Sequence, residues 1–164
     1  MQQQMVLMVD LEKCTGCRIC EMACSFHHYK IFNPTKSMIR IVKLEEVGID
    51  VPIVCGHCLT APCAEVCPTG AIQRDAKTGA VLISEEICIG CKVCMVACPF
   101  WAIAVDLENG VLVKCDLCEG DPECIKLCPR EAIIYRVPDR TIMIKKREVA
   151  EKLSLPAAKM IRGA

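Results

Sequence analysis

The chain has 164 residues, and its 20 basic side chains balance its 20 acidic ones, so the formal net charge of zero argues against a nucleic-acid-binding surface. Cysteine supplies 16 residues whereas aromatic residues make up only 4%, a composition that excludes an ordinary apolar core. The interior must therefore be organised around the cysteines.

A short strand is predicted over Met5–Asp10, and it leads into the first cysteine motif. This motif has the spacing C-x2-C-x2-C-x3-C, and its members are Cys14, Cys17, Cys20 and Cys24. Two-residue gaps let a tight loop place three thiolates on one [4Fe–4S] cluster, while the fourth cysteine is directed to a neighbouring cluster. Gly16 gives this loop a residue without Cβ where the backbone crowds the cluster.

A helical turn is predicted over residues 21–29, and it carries the crossing ligand Cys24. His27 and His28 on this turn are interpreted as surface residues or neighbours of a cluster, because cysteines alone complete all the motifs.

The next segment is predicted to run from a turn through a strand to the second motif. Residues 32–37 have turn chemistry, and Met38–Leu44 alternates apolar and basic residues as a half-buried strand does. Residues 45–50 are predicted to form an exposed connector, and residues 51–54 bring the chain to the motif.

Three further motifs follow, and together the four motifs use all 16 cysteines. The second motif stretches its central gap to four residues and the fourth stretches it to five, but the second, third and fourth motifs all close with C-x3-C-P. The first motif has Ser25 in place of that proline, and the third has Gly90 where the first has Gly16. The cysteines of these three motifs are Cys55, Cys58, Cys63 and Cys67; Cys88, Cys91, Cys94 and Cys98; and Cys115, Cys118, Cys124 and Cys128.

A block C-P-x-x-A-I begins at Cys67, Cys98 and Cys128, with separations of 31 and 30 residues. We expect its Ala-Ile pair to pack against a cluster as the chain returns as a strand. Trp101, the single tryptophan, stands where the first block has Gly70. It is predicted to shield a cluster from water, to contact a partner, or simply to pack.

Hairpins are predicted between the blocks and after the last one. The turns over residues 75–79 and 106–110 lead into the strands Ala80–Ile83 and Val111–Val113. The C-terminal predictions are a hairpin of Ile133–Arg136 and Thr141–Ile144 around residues 138–140, an amphipathic helix over Lys145–Leu153, and a basic tail over Pro156–Ala164.

The motifs favour four [4Fe–4S] clusters over a disulfide framework or structural zinc sites. Disulfides are typical of secreted proteins, and we expect no signal peptide because Met1-Gln-Gln-Gln lacks a basic region and Met5–Val9 is a short apolar run. Zinc sites pair two C-x2-C knuckles across a long gap and do not close with C-x3-C-P. The longest apolar stretch, Cys94–Val105, is too short to span a bilayer, so a cytoplasmic protein in a low-oxygen (anaerobic) setting is expected.

Four motifs form two pairs, because in a two-cluster ferredoxin the motifs exchange their fourth ligands. The chain is expected to form a single domain over residues 1–164. Within it, a nested arrangement pairs motifs two and three in an inner module of about residues 51–105, and motifs one and four in an outer module of about residues 5–50 and 106–144. Residues 145–164 then form a C-terminal helix and tail. The sequential alternative pairs one with two and three with four, and spacing leaves both open. The nested ligand sets are Cys14, Cys17, Cys20 and Cys128; Cys115, Cys118, Cys124 and Cys24; Cys55, Cys58, Cys63 and Cys98; and Cys88, Cys91, Cys94 and Cys67.

From Lys13 to Ile133 the chain resembles the four-cluster ferredoxin-like electron-transfer subunits of oxidoreductases that contain several subunits. These serve tungsten and molybdenum enzymes such as aldehyde oxidoreductases and formate dehydrogenases, carbon monoxide dehydrogenases and hydrogenases. The resemblance implies the nested pairing. The segment Cys24-Ser-Phe-His-His and the short fourth motif after Lys114 are similar to the subunits of tungsten aldehyde oxidoreductases.

The predicted fold is α+β, with two intertwined bacterial-ferredoxin-like modules of small hairpins and short helices around the clusters. Because a fully ligated cluster has no open coordination position, we expect a non-catalytic protein that relays single electrons. The expected partners are a tungsten- or molybdenum-pterin catalytic subunit, a flavoprotein or ferredoxin acceptor, and copies of the same chain in an extended relay. The alternatives are the equivalent subunit of a carbon monoxide dehydrogenase, formate dehydrogenase or hydrogenase, a free polyferredoxin, and a structural or regulatory metal-bound module.

Overall fold

The computed structural model describes residues 5–137, in which short antiparallel strand pairs are connected by short helices and cysteine loops. This mixed α and β content agrees with the predicted fold class. The strands are β1 (Val6–Val9), β2 (Arg40–Leu44), β3 (Ile49–Ile53), β4 (Ile72–Arg74), β5 (Val81–Ile83), β6 (Ile103–Val105), β7 (Leu112–Lys114) and β8 (Ile133–Arg136). The helices are α1 (Ile19–Tyr29), α2 (Pro62–Glu65), α3 (Val93–Ala97) and α4 (Glu123–Lys126). Short 3-10 turns cover Pro34–Lys36, Glu45–Val47 and Leu117–Gly120.

The two hairpins predicted between the repeated blocks are confirmed, and each has an aspartate that organises its turn. β4 pairs with β5, and the Asp75 carboxylate accepts hydrogen bonds from the Thr78 backbone N–H and hydroxyl, both at 2.7 Å. β6 pairs with β7, and Asp106 Oδ1 accepts from the Glu108 N–H at 3.0 Å. Aspartate favours such turns because its side chain bonds to backbone N–H groups two or three residues later.

The predicted exposed connector over residues 45–50 is wrong in its second half. Ile49 and Asp50 already belong to β3, where they pair with Leu44 and Lys43. Gly48 has a φ of +66°, and this left-handed residue reverses the chain directly after the 3-10 turn. The loop is therefore shorter, and the strand begins earlier, than the polar composition indicated.

The first and last described strands pair with each other, which sequence patterns did not predict. In the β1–β8 pair, Val6 lies opposite Arg136 and Val9 lies opposite Ile133. Because β1 precedes the first motif and β8 follows the fourth, this pairing brings those motifs together. Helix α1 likewise packs against α4, and α2 packs against α3. The other half of the predicted C-terminal hairpin (Thr141–Ile144), the helix over Lys145–Leu153 and the tail over Pro156–Ala164 lie outside the described residues.

Two groups of buried side chains, called here the first and the second core cluster, form the core of the protein, and cysteines take part in both. The first contains Cys20, Cys24 and Cys124, and the second contains Cys55, Cys94 and Cys98. The Ala-Ile pairs of the three repeated blocks are buried, at 1–7% exposure, and each isoleucine begins a strand as predicted. The aliphatic members of the first core cluster include Leu7, Ile39, Ile41, Leu117 and Ile133, and those of the second include Ile72, Val81, Ile103 and Leu112. No helix within residues 5–137 has the length and apolar character needed to cross a membrane.

Candidate metal centres

Each of the four cysteine loops bends at the residue before its second cysteine. This residue has a left-handed φ in every loop, +60° at Gly16, +42° at His57, +66° at Gly90 and +64° at Leu117. The bend turns backbone N–H groups toward sulfur, and the His57 and Leu117 N–H groups lie 3.5 Å from the Sγ atoms of Cys55 and Cys115. Glycine signalled this conformation in two loops, whereas histidine and leucine gave no signal because such residues rarely adopt it.

Three cavities are lined by cysteines, and each combines three cysteines of one motif with one of another. The cavity volumes are about 350, 340 and 380 Å³, including space open to solvent. The first is lined by Cys14, Cys17 and Cys20 with Cys128. The second is lined by Cys55, Cys58 and Cys63 with Cys98. The third is lined by Cys115, Cys118 and Cys124 with Cys24.

The remaining four cysteines are Cys67, Cys88, Cys91 and Cys94, and Cys94 lies in α3. Cys67 and Cys88 pack against the second core cluster, of which Cys94 is a buried member. Burial raises the pKa of Cys94, and the negative charges of Cys63, Cys91 and Cys88 add to that rise. Burial also acts to raise the pKa of Cys67, but hydrogen bonds from Thr69 and from the following backbone outweigh it and lower that pKa.

The donor atoms suit an iron–sulfur cluster. All 16 cysteines lie within residues 5–137, and each is a free thiol. Burial raises the pKa values of Cys20 and Cys124 to about 12, so these thiols ionise near neutral pH only where a cation compensates the thiolate charge. Iron provides that compensation, and soft thiolate sets of four are the usual ligands of a [4Fe–4S] cluster.

The fourth cysteine of a motif receives a hydrogen bond from the backbone farther along the chain. The Ala102 N–H lies 3.5 Å from Cys98 Sγ, and the Ala132 N–H lies 3.3 Å from Cys128 Sγ. Both alanines come from the C-P-x-x-A-I block, so the block buries an alanine and also directs its N–H at the sulfur. N–H groups directed at sulfur stabilise a thiolate and raise the potential of a cluster.

His28 is half-buried beside Cys118. It was predicted to be a surface residue or a neighbour of a cluster. Its Nε2 atom lies 3.9 Å from Cys118 Sγ and 3.5 Å from Asp116 Oδ1. Burial lowers the pKa of His28, and the Asp116 carboxylate opposes that effect. The ligand atoms of His27, His28 and Cys118 lie within 4.8 Å of one another.

Trp101 is exposed, so the expectations of cluster shielding and of plain packing are both wrong. Its side chain is 74% exposed and its φ is +54°. The corresponding residues of the other two blocks, Gly70 and Glu131, also have left-handed φ values of +67° and +50°. The block therefore directs the residue before alanine away from the core, and contact between Trp101 and a partner stays a prediction.

Two polar residues that the sequence did not single out line the second cavity. His57 is 0% exposed, and its Nδ1 atom accepts a hydrogen bond of 2.9 Å from the Val81 N–H. Lys114 is 5% exposed and lines the same cavity, where its Nζ atom donates to the carbonyl oxygens of Val81 and Cys115. A histidine inside a C-x2-C pair was visible in the sequence, but the burial of Lys114 depends on tertiary packing.

Comparison with known proteins also indicates that the chain binds iron–sulfur clusters. Two descriptions of 4Fe-4S dicluster domains match the chain, over residues 13–83 and 49–121. The polyferredoxin-like subunit of the aliphatic sulfonate oxidoreductase of Pyrococcus furiosus is 42% identical, over 77% of this chain and 73% of that protein. The chain belongs to the ferredoxin-like electron-transfer proteins.

Other members of this family are named for electron transport and for reductase chains. The electron transport protein HydN of Escherichia coli is 38% identical, over 78% of this chain and 85% of that protein. The probable anaerobic dimethyl sulfoxide reductase chain YnfG of Escherichia coli is 33% identical, over 96% of this chain and 85% of that protein. Members of the family bind [4Fe–4S] clusters, and the cysteine-lined cavities give this ferredoxin-like chain the ligands to do so.

Proposed function

We propose that the chain holds four [4Fe–4S] clusters and serves as the non-catalytic electron-relay subunit of an oxidoreductase complex. The observation that carries this proposal is the composition of the three cavities, each of which joins three cysteines of one motif to the closing cysteine of another. This composition favours the nested pairing of motif one with four and of two with three. The proposed inner and outer modules are those of the nested arrangement, two intertwined ferredoxin-like units.

The proposed ligand sets extend the cavity composition to all 16 cysteines. Each cluster supplies one-electron redox chemistry when it is bound. The chain fixes the four sulfurs of each set, directs backbone N–H groups at them, and surrounds three of the sets with apolar side chains that limit access of water. The sets are Cys14, Cys17, Cys20 and Cys128; Cys55, Cys58, Cys63 and Cys98; Cys24, Cys115, Cys118 and Cys124; and Cys67, Cys88, Cys91 and Cys94.

The proposed partner is a catalytic subunit with a tungsten- or molybdenum-pterin centre, of the aldehyde oxidoreductase kind. Its support is the short fourth motif, together with a relative that is named as a subunit of a sulfonate oxidoreductase. The acceptor is a flavoprotein or a ferredoxin, in the cytoplasm at low oxygen, and copies of the chain can extend the relay. Anaerobic purification of the native complex tests this assignment, because a catalytic subunit without tungsten or molybdenum would contradict it.

Cysteine variants test the nested pairing. Cys128→Ala should remove the cluster that Cys14, Cys17 and Cys20 begin, so iron should fall from about sixteen to about twelve atoms per chain. Adding Cys17→Ala should cause no further loss, because both substitutions affect the same cluster. Adding Cys91→Ala instead should lower the iron content to about eight atoms.

Cys17 and Cys91 make a matched comparison, since both are exposed second cysteines of tightly spaced motifs. Sequential pairing predicts the opposite result for the two double variants, since Cys128 would then share a cluster with Cys91. Far fewer than about sixteen irons in the unmodified, anaerobically prepared protein would contradict the four-cluster proposal itself.

A further inference from the structure

Lys114 is a buried cation without a carboxylate partner among residues 5–137. It lies at the end of β7, and its Nζ atom contacts the carbonyl oxygens of Val81 and of Cys115, the latter at 3.2 Å. The other buried lysine of this part of the chain, Lys36, is instead paired with the carboxylates of Asp106 and Glu108. A buried ammonium is unfavourable unless a negative charge compensates it, so Lys114 points to an anion that the side chains of the described part of the chain do not supply.

The cavity beside Lys114 provides the place for that anion. Lys114 lines the cavity of Cys55, Cys58, Cys63 and Cys98, together with the buried His57 and with apolar residues. Within residues 5–137, no aspartate or glutamate lines this cavity. On the proposed function, a cluster occupies it that carries a net charge of about −2 together with its four thiolates, and the lysine that lines the cavity is positive.

The neighbouring cavity has the opposite fixed charge. Asp116 lines the cavity of Cys24, Cys115, Cys118 and Cys124, and its Oδ1 atom accepts a 2.9 Å hydrogen bond from the Cys118 N–H. The two cavities adjoin, because Cys115 packs against both core clusters. The ammonium of Lys114 therefore lines the cavity of Cys55 and also contacts the Cys115 carbonyl oxygen, whereas the carboxylate of Asp116 lines the cavity of Cys115 and is not among the residues that line the other.

We infer that Lys114 is the counter-charge of the cluster held by Cys55, Cys58, Cys63 and Cys98, and that it sets the reduction potential of that cluster above the potential of its neighbour at Cys115. Reduction adds one electron to an already negative site, and a buried cation favours the reduced form whereas a carboxylate disfavours it. Electrons then pass favourably from the Asp116 side to the Lys114 side. This inference rests on the proposed function.

Removal of the charge tests the role of Lys114. The full chain with its clusters loaded would be compared with Lys114→Met in a redox titration followed by electron paramagnetic resonance. At a fixed applied potential, the ratio of the reduced to the oxidised form of one cluster should fall about tenfold. This corresponds to a reduction potential that is lower by about 59 mV for a one-electron couple. Cys58→Ala should remove the same signal, which assigns it to the cavity of Cys55.

Two further variants separate charge from packing. Lys77→Met removes an equal charge from the exposed turn between β4 and β5, and it should leave all potentials unchanged. Lys114→Arg keeps the charge in a different shape and should restore the wild-type potential. If the Lys114→Met protein does not load iron, the Lys114→Arg protein provides the test. Iron loading of Lys114→Arg with wild-type potentials supports a charge role, whereas failure of both variants to load iron overturns that role.

Two results with a fully loaded protein would overturn the inference. One is a Lys114→Met protein in which no potential moves more than it does in Lys77→Met. The other is a wild-type potential at the Cys55 cavity that lies below the one at the Cys115 cavity, the latter assigned by its loss in Cys118→Ala. Both require four loaded clusters, whereas incomplete loading of the unmodified chain would contradict the proposed function instead.

Discussion

Residues with a left-handed backbone conformation occur at fixed positions in both the cysteine loops and the repeated blocks. Within the blocks, Trp101 and Glu131 adopt the conformation that Gly70 adopts without a Cβ. A left-handed conformation costs a residue with a side chain about 1–2 kcal/mol relative to glycine. Backbone strain of this kind persists where a side chain is needed at that place, and Trp101 is both strained and 74% exposed.

Replacement of Trp101 by glycine should therefore stabilise the isolated, cluster-loaded protein. The expected gain is about 1 kcal/mol, which raises the thermal unfolding midpoint by a few degrees, as measured by circular dichroism. Glu131→Gly is the matched control, because Glu131 has the same backbone conformation in the next block and should give a similar gain. A lower midpoint for Trp101→Gly would mean that the indole stabilises the folded chain.

Single-residue predictions from the sequence succeeded where the residue type determines the structure. The cysteine spacing singled out all of the cavity-lining thiols, and Gly16 and Gly90 marked loops that bend through a left-handed residue. Residue type gave no such signal at Leu117, whose conformation is imposed by the loop, or at Lys114, whose burial results from packing against β5. A buried lysine is rare without a partner, so composition alone places it on the surface.

One ion-pair group joins elements that are far apart in the sequence. Lys36 ends the 3-10 turn Pro34–Lys36, and its Nζ atom donates to both carboxylate oxygens of Asp106, at 3.1 and 3.2 Å. Glu108 accepts a third hydrogen bond from the same ammonium, and the ring of Tyr29 lies 5.3 Å away. The group fastens the segment after the first motif to the turn of the β6–β7 hairpin.

Asp106→Asn should lower the thermal midpoint much more than Asp75→Asn does. Both aspartates organise a hairpin turn, but only Asp106 also compensates a buried lysine. Backbone hydrogen bonds from Glu108 and the ammonium of Lys36 lower the pKa of Asp106. Because the folded pKa lies below the unfolded value of about 4, this stabilisation is fully present above that value and is lost as the pH falls through the folded pKa.

The pH dependence provides the check on this ion-pair group. The difference in midpoint between wild type and Asp106→Asn should stay constant between pH 7 and about pH 5, and it should shrink below about pH 4. Equal midpoints for Asp106→Asn and Asp75→Asn at pH 7 would show that only the turn contact matters.

Predictions of whole elements succeeded where the signal is local. Turns that begin with aspartate gave the β4–β5 and β6–β7 hairpins, and the helix predicted as one turn over residues 21–29 extends to Ile19–Tyr29. The β1–β8 pairing joins residues about 130 positions apart and could not be predicted, because period-two patterns identify a strand and not its partner. That pairing and the contact of α1 with α4 bring the first motif to the fourth.

At the scale of the whole molecule, thiols occupy positions that aliphatic side chains fill in other small domains. Cys20, Cys24 and Cys124 are buried in the first core cluster, and Cys55, Cys94 and Cys98 are buried in the second. The scarcity of aromatic residues predicted such a core, whereas the spacing left the partner of each closing cysteine open. The binding free energy of metal at these thiolates is therefore part of the folding free energy.

Removal of the clusters should unfold the chain. Structural metal sites contribute on the order of 10 kcal/mol of binding free energy, which is comparable with the whole stability of a small domain. Anaerobic treatment with an iron chelator should therefore abolish the cooperative thermal transition and most of the secondary-structure signal in circular dichroism. Reconstitution with iron and sulfide should restore both, which distinguishes loss of clusters from chemical damage. A cluster-free protein with a cooperative, native-like unfolding transition would instead mean that the aliphatic residues around Ile41 and Ile103 suffice to hold the fold.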